Sequence, residues 1–191
     1  VAKREGLKIN TVQGDMTKPF PFEDETFDII FNPVSNVYIE DLENMYKDAQ
    51  KQGLHLVINS AYRSYEEQKK IYDEYFRIYD SVTASKLVAI PGCSEHQLGL
   101  SVDLTSQNVL DGTYSLFGNT PEYQWVINHA HEYGFILRYP KDKTNITGTA
   151  NEPWHFRYVG KKAAREMYEK NLTLEEYTLK HGFSYPVTLL E

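Results

Sequence analysis

Cysteine is almost absent from this 191-residue chain: Cys93 stands alone, so no internal disulfide can form and no thiolate-rich zinc site is available. Any metal must therefore be held by histidine and carboxylate. Positive charge is scarce too, with 20 Lys and Arg against 27 Asp and Glu, a net charge of -7 and no basic run. That balance argues against nucleic acid and against an anionic membrane surface as partners. No apolar run approaches the ~20 residues of a membrane span, and the amino end does not read as a signal peptide. The chain opens on Val1. A leader lost from that end would place the protein at the cell envelope, with the cytoplasm as the alternative. Internal repeats and low-complexity tracts are missing as well.

What is present fits one domain of ordinary size, with enough chain to bury a core unaided. Aromatic residues make up 14%, with 15 Tyr, which suggests a groove rich in amphipathic rings. Residues 1–36 read as a separate extension of unassigned role. "LKINTVQGDMTKPFPFEDETFDIIF" gives a short strand, an acidic turn at Gly14 and Asp15, and a second strand from Phe27 to Phe31. This segment resembles part of a class I methyltransferase but lacks the glycine-rich turn that would hold a cofactor. It is read as a remnant or packing arm, and a working methyltransferase is the disfavoured rival.

From Val37 the pattern is coherent. "IEDLENMYKDAQKQG" puts Leu42, Met45 and Ala49 on one helical face, and Gly53 stands at its carboxy-terminal cap. "LHLVINS" alternates as a half-buried strand with Leu54, Leu56 and Ile58 inward. Ser64 and Glu67 make a capping box for a helix whose Ile71, Tyr75 and Ile78 are expected to face the core, leaving "SAYRS" on the corner between strand and helix. After a polar link, "VAIPGCSEHQ" reads as a loop and "LSVDL" as a strand, with Leu100, Val102 and Leu104 on one face and Ser101 and Asp103 on the other. Thr120 and Pro121 open a helix that Gly134 ends. "FILRY" and "WHFRYV" supply two more strands, and two carboxy-terminal helices follow. The expected class is α+β, a small antiparallel sheet with flanking helices.

A hydrolytic zinc site takes three protein ligands, leaves a position to water and lowers that water's pKa to about 7. His96 and Asp103, seven positions apart around Gly99, could supply two ligands, and "EPWH" the third through His155. Glu152 would then be the base that takes the water's proton. For this, the strands carrying Asp103 and His155 must be neighbours.

"SEHQLGLSVDL" matches the pattern S-x-H-x-x-G-x-[AS]-x-D, and "EPWH" the pattern E-x-x-H, of the zinc metallopeptidase family that includes the VanY and VanXY D-alanyl-D-alanine carboxypeptidases. "SAYRSYEEQ" and "GFILRYPKDKTNITGTANEPWHFRYVG" resemble that family's other shared stretches, so the likeness covers about residues 37–180. The resemblance implies zinc on His96, Asp103 and His155, Glu152 as catalytic base, Arg63 near the scissile carbonyl, and Ser94 and Gln68 in substrate binding. It also implies the zinc-peptidase fold related to the Hedgehog amino-terminal domain, over residues 37–191.

Each residue has a plainer reading. A lone His beside an Asp is more often a hydrogen-bonded structural pair, and the ordered set of four is what reverses those odds. Glu152 alone could be a surface carboxylate, and Pro153 and Trp154 keep it out of a helix with His155, so its place beside a metal follows from the resemblance. Arg63 could pair with Glu66. Tyr139 and Trp154 are candidates for the groove, although an aromatic core is the commoner fate. Cys93 reads as a small packed loop residue, and His129 and His131 point to different sides of a helix. His55 reads as the polar face of a strand, and His181 as a cation near a helix carboxy terminus.

The expected function is a zinc D,D-carboxypeptidase that removes a terminal D-alanine; the rivals that keep the site and change the bond are an L,D-carboxypeptidase, a D,D-dipeptidase and a peptidoglycan endopeptidase, with pocket shape deciding among them. The expected partner is a peptidoglycan stem peptide or precursor, met by a monomer. A wall-binding, zinc-stabilised module without turnover is the rival that a poised Glu152 opposes.

Overall fold

The computed structural model describes residues 35–182 of the chain. The strands and acidic turn read from residues 1–34 lie outside the described residues. Helix α1 (Ser35–Lys51) starts two residues before the expected boundary, and its Met45 and Ala49 are fully buried with Leu42 packed beside them.

Strands β1 (Leu56–Ser60), β2 (Ser101–Ser106), β3 (Phe135–Leu137) and β4 (His155–Tyr158) form one antiparallel sheet in the order β1-β2-β4-β3. Because side chains alternate along a strand, the sheet has two chemically different faces. Val102, Leu104 and Phe156 point to one face and pack with Phe135, with α1, and with Trp125 and Val126 of α5 (Pro121–His129). Burying each such large apolar side chain contributes about 1.5–3 kcal/mol, and this is where the main core sits. Ser101, Asp103, His155 and Arg157 point to the opposite face.

That second face is covered on its β3 side, where Ile136 packs with Ala164 and Met167 of α7 (Lys161–Glu169) and with Leu174 and Tyr177 of α8 (Leu174–Lys180). Toward β1 and β2 it opens into a cleft. Helix α5 begins as expected, with Thr120 capping Tyr123 N–H and Pro121 in the first turn. It tightens into a 3-10 turn over Ala130–Tyr133 and stops at Gly134, whose φ is +85° and where a Cβ would meet the Tyr158 ring at 2.6 Å. Two single-turn helices, α4 (Gln107–Leu110) and α6 (Thr144–Thr147), fill connections.

Three expectations are corrected. The polar link after α2 (Tyr65–Ile78) contains a helix, α3 (Ser81–Leu87), started by Asp80 accepting from Val82 and Thr83 N–H. Helix α2 does start at the capping box, but Ile71 and Tyr75 line the cleft and Ile78 is 61% exposed. The reason is tertiary: among the described residues, α2 sends no apolar side chain into the core under the sheet. Ile58 is likewise 50% exposed, because β1 is an edge strand whose register slips between Ile58 and Ser60. With Leu42, Met45, Leu56 and Tyr62 it borders an apolar groove of about 540 Å³.

Candidate metal centre and its cleft

Strand register creates the heart of the site. Asp103 pairs directly with His155 across β2 and β4, and with Ser60 across β1 and β2, so three polar side chains form a row over the sheet. Directly opposed residues have Cβ atoms about 4.5–5.5 Å apart and project together, which is why Asp103 and His155 meet. Asp103 Oδ1 lies 3.1 Å from His155 Nδ1.

His96 arrives from outside the sheet. It sits in a 3-10 turn, Glu95–Leu98, that ends at Gly99 with φ +68°, a left-handed geometry that lets the chain reverse into β2. The "SAYRS" corner clamps this turn: Arg63 N–H donates to the His96 carbonyl at 3.2 Å, and His96 Nδ1 lies 2.6 Å from the Ala61 carbonyl. A carbonyl only accepts, so Nδ1 carries the hydrogen and Nε2 presents its lone pair inward, 3.3 Å from Asp103 Oδ2.

His96, Asp103 and His155 are all buried, and their ligand atoms lie within 4.8 Å of one another. Lone pairs on two imidazoles facing a carboxylate are mutually repulsive unless a cation sits among them, so the donor set fits a divalent metal of the zinc type. Without metal, a proton does part of that work. Burial pulls the His155 imidazole down, but Asp103 and Glu95 outweigh it and carry it up to about 9. Burial pushes Asp103 up, but His155 and His96 prevail and hold it at about 2.

Glu152 reaches this group through a β-turn. His155 N–H donates to the Glu152 carbonyl at 3.1 Å, with Pro153 at the second position, where its fixed φ suits the turn. Glu152 Oε2 then lies 3.8 Å from His155 Nδ1. Burial raises its carboxyl above the usual range, with His155 opposing and Asp103 adding, which is the direction that suits a proton acceptor working near neutrality.

The cleft has a volume of about 730 Å³ and runs from these residues to α2 and α3, where Ile71, Tyr75, Leu87 and Val88 form its far wall. Arg63 lines it, donating to Gln68 Oε1 at 2.7 Å and Ser60 Oγ at 3.0 Å instead of pairing with Glu66. Gln68 is fully buried, and its amide also donates to the Ala89 carbonyl at 2.7 Å, so in this geometry it braces Arg63. Ser94 and Tyr139 line the cleft, and so does the exposed Trp154. Cys93, expected to be packed, is exposed at the cleft because it lies at the end of the turn closed by its N–H to the Ile90 carbonyl. His129 pairs with Glu132 at 3.0 Å and His131 stacks on Tyr168 at 3.8 Å, both away from this group.

Two residues near the site went unnoticed in the sequence. Glu95 lies 3.5 Å from His155 Nε2, and Arg138 holds Glu95 at 2.9 Å. Burial would raise Glu95, but His155, Arg138 and Arg157 outweigh it and hold it at about 2. Adjacency to His96 was the signal for Glu95; Arg138 had none.

A family model described as VanY, D-alanyl-D-alanine carboxypeptidase, matches residues 32–161. A D-alanyl-D-alanine carboxypeptidase of Enterococcus faecalis is 42% identical over 162 residues, 80% of this chain and 56% of that protein. The chain spans about half the length of the curated relatives it matches. Among solved structures, the LdcB LD-carboxypeptidase is similar with a TM-score of 0.69 and 41% identity, over 82% of this chain and 75% of that one. A mutant of the vancomycin-resistance D,D-pentapeptidase VanY in complex with Zn(II) is similar with a TM-score of 0.63 and 41% identity, over 73% of this chain and 80% of that one. A shorter match, 43% identical over 51 residues, 27% of this chain and 20% of the relative, is to an uncharacterized methyltransferase of Bacillus subtilis.

Proposed function

The chain belongs to the VanY family of D-alanyl-D-alanine carboxypeptidases, and from that premise we propose that it is a zinc-dependent D,D-carboxypeptidase that removes the terminal D-alanine of peptidoglycan stem peptides or their precursors. The observation that carries this reading is the convergence of His96, Asp103 and His155 with Glu152, 3.8 Å from His155, all lining a cleft of about 730 Å³.

His96 Nε2, an Asp103 oxygen and His155 Nδ1 would hold the ion. Zinc bound there supplies Lewis acidity and a water that ionises near neutral pH. Glu152 Oε2 takes the proton of the attacking water and returns it to the departing amine of D-alanine. Arg63, fixed by Gln68 and Ser60, presents positive charge toward the oxygen that becomes negative in the transition state. Ser94, buried at the cleft wall, would donate to the terminal carboxylate, and Tyr139 and Trp154, which also line the cleft, would flank the substrate. One chain provides every one of these side chains, which supports action as a monomer. A stem peptide of the mature wall as substrate would put the work at the cell envelope, and a precursor as substrate would put it in the cytoplasm.

A second reading, an L,D-carboxypeptidase acting on tetrapeptides, is favoured by the likeness to LdcB. One experiment separates them. Zinc-loaded protein is incubated with a pentapeptide ending in D-Ala-D-Ala, with the matching tetrapeptide, and with free D-Ala-D-Ala, each with and without chelator, and products are weighed by mass spectrometry. Chelator-sensitive loss of one alanine from the pentapeptide is the expected result. Preference for the tetrapeptide selects the second reading, and no cleavage of any by a protein that holds one zinc overturns both.

A further inference from the structure

Behind the metal site, on the cleft-bearing face of the sheet and running under α8, lies a chain of mostly buried charge that the chemistry above does not use. Glu95 neighbours His96 in sequence, yet its carboxylate turns toward the other histidine. Glu95 Oε2 lies 3.5 Å from His155 Nε2, accepts from Ser101 Oγ at 3.3 Å and lies 3.6 Å from Arg157 Nη1. Glu95 Oε1 accepts from Arg138 Nε at 2.9 Å. Arg138, just past the end of β3, donates its two remaining nitrogens to both oxygens of Glu175 on α8, at 3.1 and 2.6 Å. Its guanidinium also lies 4.7 Å over the ring of Tyr139, which stands 5.2 Å from the ring of His155.

Two carboxylates face two guanidinium groups here, so the network brings little net charge to the metal site. What it brings is direction. A carboxylate opposite Nε2 favours the tautomer with hydrogen on Nε2, leaving the Nδ1 lone pair toward Asp103. The Ala61 carbonyl does the same for His96 through the opposite nitrogen, so the two rings are oriented by different means. Held on both oxygens, Glu95 cannot rotate away, and the planar fork of Arg138 makes that hold directional.

We propose that Glu95 is a positioning residue for His155, aiming Nδ1 at the metal position, and that Arg138 and Glu175 tie this aim to helix α8. The proposal rests on the zinc-peptidase reading of the same site. A merely structural ion-pair network would stabilise the fold without influencing how tightly the folded protein holds zinc.

The test measures zinc affinity of the full chain by competition with a chromophoric chelator, melting of the metal-free protein, and the His155 Nε2–H resonance of the zinc-loaded protein by NMR. Glu95→Ala is expected to weaken zinc binding about 10- to 100-fold and to expose Nε2–H to fast exchange. Glu95→Gln, whose amide oxygen still accepts, is expected to restore most of both. Glu175→Gln, which leaves Glu95 in place and so gives a reading even where Glu95→Ala fails to fold, is expected to give a loss in the same direction, under about 10-fold. Wild-type zinc affinity in Glu95→Ala, with only a lower melting temperature, overturns the positioning role. Wild-type affinity in Glu175→Gln alone overturns the tie to α8. A wild-type chain that binds no zinc overturns the zinc-peptidase reading, and this inference with it.

Discussion

On the sheet side of the cleft, Asp103 and His155 are buried, paired in register and in polar contact with each other, with His96 and with Glu95; on the helical side, Tyr75 and Leu87 stand on α2 and α3, half-buried and exposed. Both walls line one cavity, yet a main core backs only the first. The sheet wall is over-determined, since moving Asp103 would break strand pairing, two histidine contacts and the packing of Val102 and Leu104 behind it. Helices α2 and α3 rest on each other, with Gln68 bonding to the Ala89 carbonyl as one of the ties that bring α2 to the cleft. On the proposed function, chemistry that needs sub-ångström placement would sit on the core-backed, rigid wall, and contacts that choose among substrates would sit on the helical, more adaptable one.

Breaking the rigid wall should have the largest effect. His96→Ala or His155→Ala is expected to abolish stoichiometric zinc, read by elemental analysis, and with it turnover. Retained zinc in either variant would remove the three-ligand assignment. Glu152→Gln should keep the metal and lower kcat by about 10²–10⁴-fold. Loss of both together would make Glu152 a ligand instead of a base.

The rigid wall should also couple metal binding to protons. Asp103 and Glu95 hold the metal-free His155 protonated up to about 9 despite its burial. Zinc must displace that proton, so apparent affinity should rise about tenfold per pH unit up to about pH 9 and then cease to depend on this group. Competition titrations between about pH 6.5 and 9.5 read this directly, and a flat profile would mean that no proton occupies the metal position.

The adaptable wall should respond more mildly. Leu87→Ala or Tyr75→Ala is expected to raise KM by about 10-fold or less and to shift the ratio of pentapeptide to tetrapeptide cleavage, with kcat and zinc content nearly unchanged. A collapse of kcat would show that this wall takes part in positioning the reacting bond.

Much of this site could be read before any fold was known. Pro121 after Thr120 and the Ser64 to Glu67 capping box locate helix starts because a side chain there bonds to backbone only a few residues away. Alternation in "LSVDL" puts Asp103 opposite the core for the same local reason, residue chemistry makes His96, Asp103 and His155 candidate ligands, and the family resemblance adds Glu152 beside them. The apolar face of α2 meets the cleft and not the core, which periodicity does not reveal, because it tells that a face is apolar and not what packs against it. Which nitrogen of each histidine faces inward, that Pro153 turns Glu152 back to within 3.8 Å of His155, and that Glu95 reaches across to the second histidine were decided only in three dimensions. Those relations depend on strand register and on the docking of α8, which are set by contacts between residues 60 and more positions apart in the chain.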